Sequence, residues 1–260
     1  MYIWVFMKHF ILVCSIFCLF GSPLFAQQKQ VLHYNQLWYA YNNNSRLSDR
    51  WGIWMDIQNK DKSEYLHNFD VKENTLGGIY YLKNKMKLTG AFTYIQSYPN
   101  DLLPDFYAPE YRPWQMVQWK TYWNTTSFAH WVRLEERFKT KTIHGNELSN
   151  DFDFSYRLRY NVFVEKPLTA KKREKGALSL SLAEEIYLNY GKTIVYNTFD
   201  QNRIFGGFLY YFNNHDFLQF GYTNVIQHQA SKDHYKAIDA IKLTFFNNLD
   251  FRKKPADHKS

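Results

Sequence analysis

The sequence is poor in the residues that build disulfide-stabilised or low-complexity chains. Only two of its 260 residues are cysteine, Cys14 and Cys18, and both lie in an apolar run near the N-terminus. If that run is removed during export, the remaining chain has no cysteine, which excludes a disulfide framework, a thiolate metal site and a cysteine nucleophile. With 11 glycines and 7 prolines, the composition also excludes a collagen.

Long apolar runs are missing after residue 27. The mean hydropathy of the chain is −0.52, which is too polar for a bundle of membrane-spanning helices. Any contact with a membrane is therefore expected from strands. The formal charge of +8 fits nucleic acid, anionic lipid or acidic solutes equally well, so charge alone selects no partner, and nothing else in the sequence predicts one of nucleic acid.

The N-terminus has the pattern of a secretory signal peptide. Lys8 and His9 precede an apolar stretch over 10–20, which ends at Gly21, Ser22 and Pro23 before the small residue Ala26. A basic start, a short apolar core and a breaker before a small residue are typical of such signals, and the apolar stretch is short for a spanning anchor. We predict a signal peptide over 1–26, with Met7 as an alternative start.

Alternating polarity is the main feature of the rest of the chain. Over Asp151–Glu165, every second residue from Phe152 to Val164 is apolar, and the residues between them are polar except Phe163. Alternation with period two predicts a strand with one apolar face. Such strands of a dozen residues, rich in Phe, Tyr and Leu, are longer than those of most globular sheets and suit a lipid-facing surface.

Twelve segments share this pattern and no linker interrupts them, so we predict one domain over 27–251 and a polar tail over 252–260. Each is long enough to cross a membrane as a tilted strand. The predicted strands are Leu32–Tyr41, Arg50–Gln58, Ser63–Val71, Asn74–Leu82, Met86–Ser97, Arg112–Trp123, Thr126–Lys139, Asp151–Glu165, Ala177–Tyr190, Phe199–Phe212, His215–Gln227 and Tyr235–Phe251.

The connections help to fix the number of strands. Tight turns at 83–85, 124–125 and 213–214 alternate with longer segments over 98–111, 140–150 and 191–198. Bacterial outer-membrane barrels place short turns on the periplasmic side and have an even number of strands. With both termini in the periplasm, this rule includes the weak segment 63–71 and predicts about twelve strands, with ten as the alternative.

Backbone chemistry then predicts closure. In lipid every N–H and C=O group needs a partner within the protein, so strands span a membrane only as a barrel without edges. The predicted fold class is all-β, an antiparallel up-and-down transmembrane β-barrel in the outer membrane of a Gram-negative bacterium. The predicted partners are outer-membrane lipid and, during biogenesis, the barrel assembly machinery.

Several short stretches resemble an uncharacterised family of Gram-negative outer-membrane barrels, domain of unknown function 2490. The resemblance covers most of the chain after the signal and implies the barrel fold and the compartment, while the family brings no established activity. The stretches that carry it are WVRLEERF over 131–138, YRLRY over 156–160, EIYLN over 185–189, FDQNR over 199–203 and FGY over 220–222.

If the apolar faces contact lipid, strand parity directs a set of charged side chains into the lumen. Buried charges of opposite sign must pair, so one interpretation is a structural layer that braces the barrel. The other is a narrow pore in which surplus guanidinium groups attract a small anionic solute. The predicted lumen-lining residues are Arg133, Glu135, Arg137, Asp153, Arg157, Arg159, Glu185 and Arg203.

Enzyme and metal sites find little support in the sequence, and no catalytic residue, cofactor or metal is predicted. Ser127 and His130 are the nearest serine and histidine, but their opposite parity places them on opposite faces of a strand. His228, Asp233 and His234 flank a loop without the fixed spacing of a metal site. An enzyme acting on envelope lipid stays the alternative function, and a soluble periplasmic β-sandwich that binds sugars is a third.

One residue conflicts with this scheme. Glu184 has the parity of Leu182 and Ile186, which places a carboxylate on the apolar face. A β-bulge changes the direction of the side chains that follow it. We therefore expect a bulge near Ala183.

Overall fold

The computed structural model describes residues 29–62, 69–99, 103, 105–143 and 147–252. The predicted signal peptide over 1–26 and residues 253–260 of the predicted tail lie outside the described residues. Eleven strands occur in the described part: β1 (Gln30–Arg46), β2 (Trp51–Asp61), β3 (Phe69–Tyr81), β4 (Lys87–Ser97), β5 (Ala108–Trp123), β6 (Thr126–Ile143), β7 (Glu147–Pro167), β8 (Leu178–Tyr190), β9 (Phe199–Tyr211), β10 (Asp216–His228) and β11 (His234–Asp250).

The strands form one closed barrel in sequence order, which confirms the predicted all-β barrel. Each strand from β1 to β10 pairs antiparallel with the next strand along the chain. Ten reversals of direction leave β1 and β11 pointing the same way where they meet. At this closing seam Phe251 N–H donates to the carbonyl of Arg46 at 2.8 Å, and Asn43 Nδ2 donates to Asn247 Oδ1 at 2.7 Å.

The described strands number eleven, one fewer than the count of about twelve. Residues 63–68 of the predicted strand Ser63–Val71 lie outside the described residues, and 69–71 belong to β3. Asp61 of β2 pairs directly with Phe69 of β3, so no further strand lies between these two. The even count assumed that both termini lie on one side of the barrel, and closure through parallel β1 and β11 does not meet that condition.

Successive connections lie alternately at the two ends of the barrel. The turn end carries 47–50, 82–86, 124–125, 168–177 and 212–215, and the loop end carries the other five. Asn124 and Lys85 adopt positive φ angles of 52° and 65° in the tight turns, a conformation that asparagine tolerates well. The long connection predicted over 140–150 is mostly strand instead, because β6 and β7 continue as a hairpin, with a register shift after Thr140.

Glycines allow one large ring to lie flat inside the barrel. A Cβ on Gly207 would lie 2.2 Å from the carbonyl oxygen of Phe220, and one on Gly221 would lie 2.9 Å from the Phe205 ring. Phe205 therefore covers these two glycines from the lumen side. Larger residues would displace both the ring and the strand backbone.

The lumen also holds a small apolar core at the closing seam. Trp38, Val225, Ile238 and Ala240 pack together there and are buried. No helix in the described residues is long and apolar enough to cross a membrane.

Candidate functional site in the barrel lumen

The two faces of the sheet differ sharply in chemistry. In β7, Phe152, Phe154 and Tyr156 are exposed on the outside, while Arg157 and Glu165 are buried inside. Successive side chains of a strand point to opposite faces, so the alternation seen in the sequence becomes a division between exterior and lumen. Soluble proteins bury apolar side chains and expose charges, and this barrel does the reverse.

Glu135 of β6 lies at the centre of the lumen charges, with none of its surface exposed. Arg157 Nε donates to its Oε2 at 2.8 Å, and Arg159 Nη1 donates to its Oε1 at 2.5 Å. Arg112 Nε and Arg133 Nη1 lie 3.7 and 3.6 Å from the carboxylate. Four guanidinium groups from β5, β6 and β7 therefore surround one carboxylate.

Glu110 of β5 forms a second centre towards the loop end. Arg112 Nη2 donates to Glu110 Oε1 at 2.7 Å, and Arg137 Nε donates to the same oxygen at 2.8 Å. Asp200 of β9 accepts a hydrogen bond from Arg157 Nη1 at 3.0 Å and lies 3.9 Å from Arg137 Nη1, so it joins the two centres. All five side chains are at most 8% exposed.

Glu185 of β8 extends the network to the next strand of the barrel. Arg159 Nε donates to Glu185 Oε1 at 2.6 Å, and Arg159 Nη2 donates to the Tyr187 hydroxyl at 2.9 Å. Arg159 thereby bonds to Glu135 and Glu185 together. We refer to the whole network as the ion-pair layer, which consists of Glu110, Arg112, Arg133, Glu135, Arg137, Arg157, Arg159, Glu185 and Asp200.

Tryptophans enclose one guanidinium of the layer. The Cζ atom of Arg133 lies 3.9 Å from the ring centroid of Trp114 and 4.9 Å from that of Trp131. Trp54 packs edge-on against Trp114, with 5.7 Å between the ring centroids. Arg133 Nε has no hydrogen-bond partner among the described residues, so its charge is balanced by aromatic faces and by the more distant Glu135.

The structure places the eight predicted lumen residues in three groups. Arg133, Glu135, Arg137, Arg157, Arg159 and Glu185 lie together in the ion-pair layer. Arg203 faces the lumen beside the layer and donates from Nε to Gln201 Oε1 at 3.0 Å. Asp153 lies apart near the loop end, where its side chain is 49% exposed and 3.7 Å from Lys141.

Sequence reasoning missed three members of the layer. Glu110 and Arg112 lie in β5, which begins at Ala108, whereas the predicted strand began at Arg112 itself. Asp200 has the wrong parity for the lumen, but a register shift after Tyr187 lets both Asp200 and Gln201 point inward. Glu110 lies two residues before the predicted start of this strand, so extending the strand by a few residues would have placed it in the lumen. An alternating pattern cannot predict a bulge, so the sequence contains no indication of Asp200.

The carboxylate of Glu165, which is not part of the ion-pair layer, is buried near the turn end. Glu165 accepts a hydrogen bond from the Tyr211 hydroxyl at 2.6 Å and another from Ser179 Oγ at 3.3 Å, and it pairs with Arg173 of the β7–β8 connection. Burial by itself would lower the pKa of the Arg173 guanidinium, but the hydrogen bond and charge of Glu165 outweigh that effect and raise the pKa.

His130 and Glu184, whose parity predicted the apolar face, lie on the exterior of the barrel. His130 lies 3.0 Å from the Tyr160 hydroxyl through Nδ1 and stacks on Trp119. The predicted bulge near Ala183 is wrong, because β8 pairs with β7 without a shift there. Glu184 remains outside, where it accepts a hydrogen bond from Asn202 Nδ2 at 3.1 Å.

The histidines around the β10–β11 connection make other contacts. His228 stacks on Tyr235 with 4.6 Å between the centroids, and His234 Nδ1 lies 2.7 Å from the Lys232 carbonyl. Within the part of the chain that the structure describes, no group of three His, Cys, Asp or Glu side chains has the geometry of a metal site.

Comparison with known proteins places the chain in a family of unknown activity. The family described as "Protein of unknown function (DUF2490)" matches residues 35–236, which include all of the ion-pair layer. The chain belongs to this family. No curated protein and no solved structure matches it.

Proposed function

We propose that this protein is an outer-membrane β-barrel whose main role is structural: a closed barrel braced across its lumen by buried ion pairs. The observation that carries the proposal is the inverted polarity of the sheet. Large apolar side chains cover the outside of the barrel, and charged side chains fill its centre. A surface of this kind is solvated by acyl chains, and water would oppose its exposure.

The closed sheet also supports a location in the membrane. Every strand has a partner on both sides, so the barrel has no open edge. A sheet immersed in hydrocarbon has to meet this condition because lipid cannot hydrogen-bond to the backbone. A β-sandwich, the soluble alternative weighed from sequence, needs two packed sheets and is incompatible with this closure.

Aromatic residues lie where the membrane interface would be. Trp51, Tyr122 and Trp123 are each more than half exposed beside the turn end, and Tyr196 lies in a connection at the loop end. Trp and Tyr are enriched at both interfaces of membrane barrels because their rings are apolar and their N–H and O–H groups are polar. By the rule of short inner turns, the turn end faces the periplasm.

Burial of the ion-pair layer favours a closed lumen over a wide pore. Glu135 exposes none of its surface, and five guanidinium groups of the layer face four carboxylates. Water in an open channel would reach these groups and weaken their attraction. The layer therefore acts as a brace across the barrel.

A narrow path for small anions is the second candidate. It is favoured by lumen cations outside the layer, of which Arg203 is one, because surplus guanidinium groups attract carboxylate or phosphate. An enzyme acting on envelope lipid has weaker support. Ser127 faces the lumen by its register with Glu165, while His130 lies on the outside.

Membrane fractionation tests the proposal. The full chain, expressed in a Gram-negative host, is expected in the outer-membrane fraction and to need detergent for extraction. Its folded form should migrate differently from the boiled form on a denaturing gel, as closed membrane barrels do. Recovery in the soluble periplasmic fraction, with no effect of boiling, would contradict the proposal.

A further inference from the structure

Two lumen cations near the ion-pair layer have no carboxylate partner. Within the described part of the chain, Arg203 of β9 donates a hydrogen bond only to the amide oxygen of Gln201, and its Cζ lies 4.7 Å from the Tyr187 ring centroid. Glu185 is its register partner on β8, but that carboxylate is bonded to Arg159. No carboxylate of the described residues lies within ion-pair distance of Arg203.

Lys242 of β11 is the second of these cations. Its Nζ lies 5.5 Å from the centroid of the Phe205 ring and has no hydrogen bond or ion pair among the described residues. The charged groups that act on it are the cations Arg203 and Arg159 and the carboxylates Glu185 and Asp56. Because Arg159 and Glu185 are already paired, the two cations Arg203 and Lys242 exceed the single remaining carboxylate, Asp56, by one positive charge.

Two unpartnered hydroxyl groups neighbour Lys242 in the sheet. Thr223 and Thr244 are 3% and 4% exposed, and their hydroxyls have no hydrogen-bond partner in the described part of the chain. Gly221 is the register partner of Lys242, and Thr223 and Thr244 each lie two residues along from one member of that pair on the lumen face. Leaving a buried hydroxyl without a partner costs free energy, so such a group indicates a missing acceptor or donor.

The chemistry of these groups defines what fits between them. Ammonium and guanidinium groups only donate hydrogen bonds, and hydroxyls can donate as well. The missing ligand must therefore supply acceptors and negative charge. We propose that Arg203, Lys242 and the hydroxyl of Thr223 form a binding site for a small anion of the carboxylate or phosphate class.

Two connections at the turn end carry an excess of positive charge. The connections 82–86 and 168–177 contain Lys83, Lys85, Lys171, Lys172, Arg173 and Lys175, with Glu174 as their single acidic residue. An excess of one sign of charge raises the local concentration of ions of the opposite sign. These connections attract anions to the turn end of the barrel, and Lys242 lies midway along β11, eight residues from either end.

The site assigns a ligand class to the lumen described under the proposed function, but it does not depend on where the barrel resides. Its test is calorimetric titration of the purified barrel in detergent with inorganic phosphate and, separately, acetate, at constant ionic strength. Wild type should bind at least one of them, and the stronger ligand identifies the class. Lys242→Met and Arg203→Gln should each weaken binding about tenfold or more, because each removes a charge-assisted hydrogen bond.

A matched control and a stability measurement make the result decisive. Lys232→Met removes an exposed lysine from the β10–β11 connection at the loop end and should leave binding unchanged. Without added anion, Lys242→Met should be at least as stable as wild type, since it removes an unpaired lumen charge. If wild type binds neither anion, or if Lys242→Met keeps wild-type affinity, the proposed site is refuted, whatever fractionation shows about the membrane.

Discussion

At the scale of single residues, the lumen shows why a buried charge needs several partners. A carboxylate removed from water loses several kcal/mol of hydration, and one ion pair seldom compensates for that loss. Glu135 has two close guanidinium groups and two more within 4 Å. The shared arginines make the layer a network in which the loss of one member affects the others.

Glu135→Gln should destabilise the barrel strongly, because it leaves four guanidinium groups without their central anion. We expect a loss of about 3–5 kcal/mol in the free energy of unfolding, the range for breaking a buried pair. Urea unfolding in detergent, followed by the shift between folded and unfolded bands, measures it. Glu136→Gln, the next residue on the outer face, is the control and should change stability by about 0.5 kcal/mol or less. Equal effects of the two substitutions would contradict a bracing role for the layer.

At the scale of elements, glycine positions decide how closely β9 and β10 pack beneath Phe205. Gly221→Ala should cost about 1–3 kcal/mol, because its Cβ would overlap the backbone of β9 and overpacking costs that much. Gly90→Ala in β4 is the matched control, since a Cβ there meets nothing within 4 Å. It should be neutral or slightly stabilising, and the same unfolding assay compares the two. A neutral Gly221→Ala would mean that the backbones of β9 and β10 do not approach so closely at these glycines.

The closing seam gives a second prediction at this scale. Asn43→Cys combined with Asn247→Cys should form a disulfide under mild oxidation, because the two side chains are hydrogen-bonded across parallel strands. The described residues contain no other cysteine to compete. Val31→Cys with Asn247→Cys should not cross-link, since parallel closure places Val31 near the loop end of β1 and Asn247 near the turn end of β11. Cross-linking of the second pair alone would indicate antiparallel closure and an even strand count. Mass spectrometry of the linked peptides identifies which pair of cysteines has cross-linked.

At the scale of the whole molecule, the proposed bracing role of the ion-pair layer predicts a barrel that does not conduct. Reconstituted into a planar bilayer, the wild-type protein should show no steady conductance for chloride or phosphate, because the paired side chains fill the lumen. A stable, anion-selective conductance would instead favour the narrow pore. A protein that inserts and refolds, verified by its migration before boiling, is the necessary control for a silent membrane.

Part of this site was predictable from single strands. The inward parity of Arg157 and Arg159 followed from the alternation over 151–165, and that of Glu135 from the neighbouring strand. Pairing between them could not be read from either strand, because it depends on the register of β6 against β7. Asp200 could not be predicted, because a register shift after Tyr187 turns it into the lumen. No bulge is needed near Ala183, because Glu184 forms a hydrogen bond with Asn202 on the outside of the barrel.

The sequence by itself determined that this chain forms long strands with one apolar and one polar face, since that pattern is local and has a period of two. It also predicted which strands are neighbours, because short connections join antiparallel strands. Only the tertiary structure decided the number of strands, the parallel closure of β1 on β11, and which guanidinium meets which carboxylate. These features depend on contacts between residues far apart in the chain, and a shift of one residue in a register changes them without changing the local pattern.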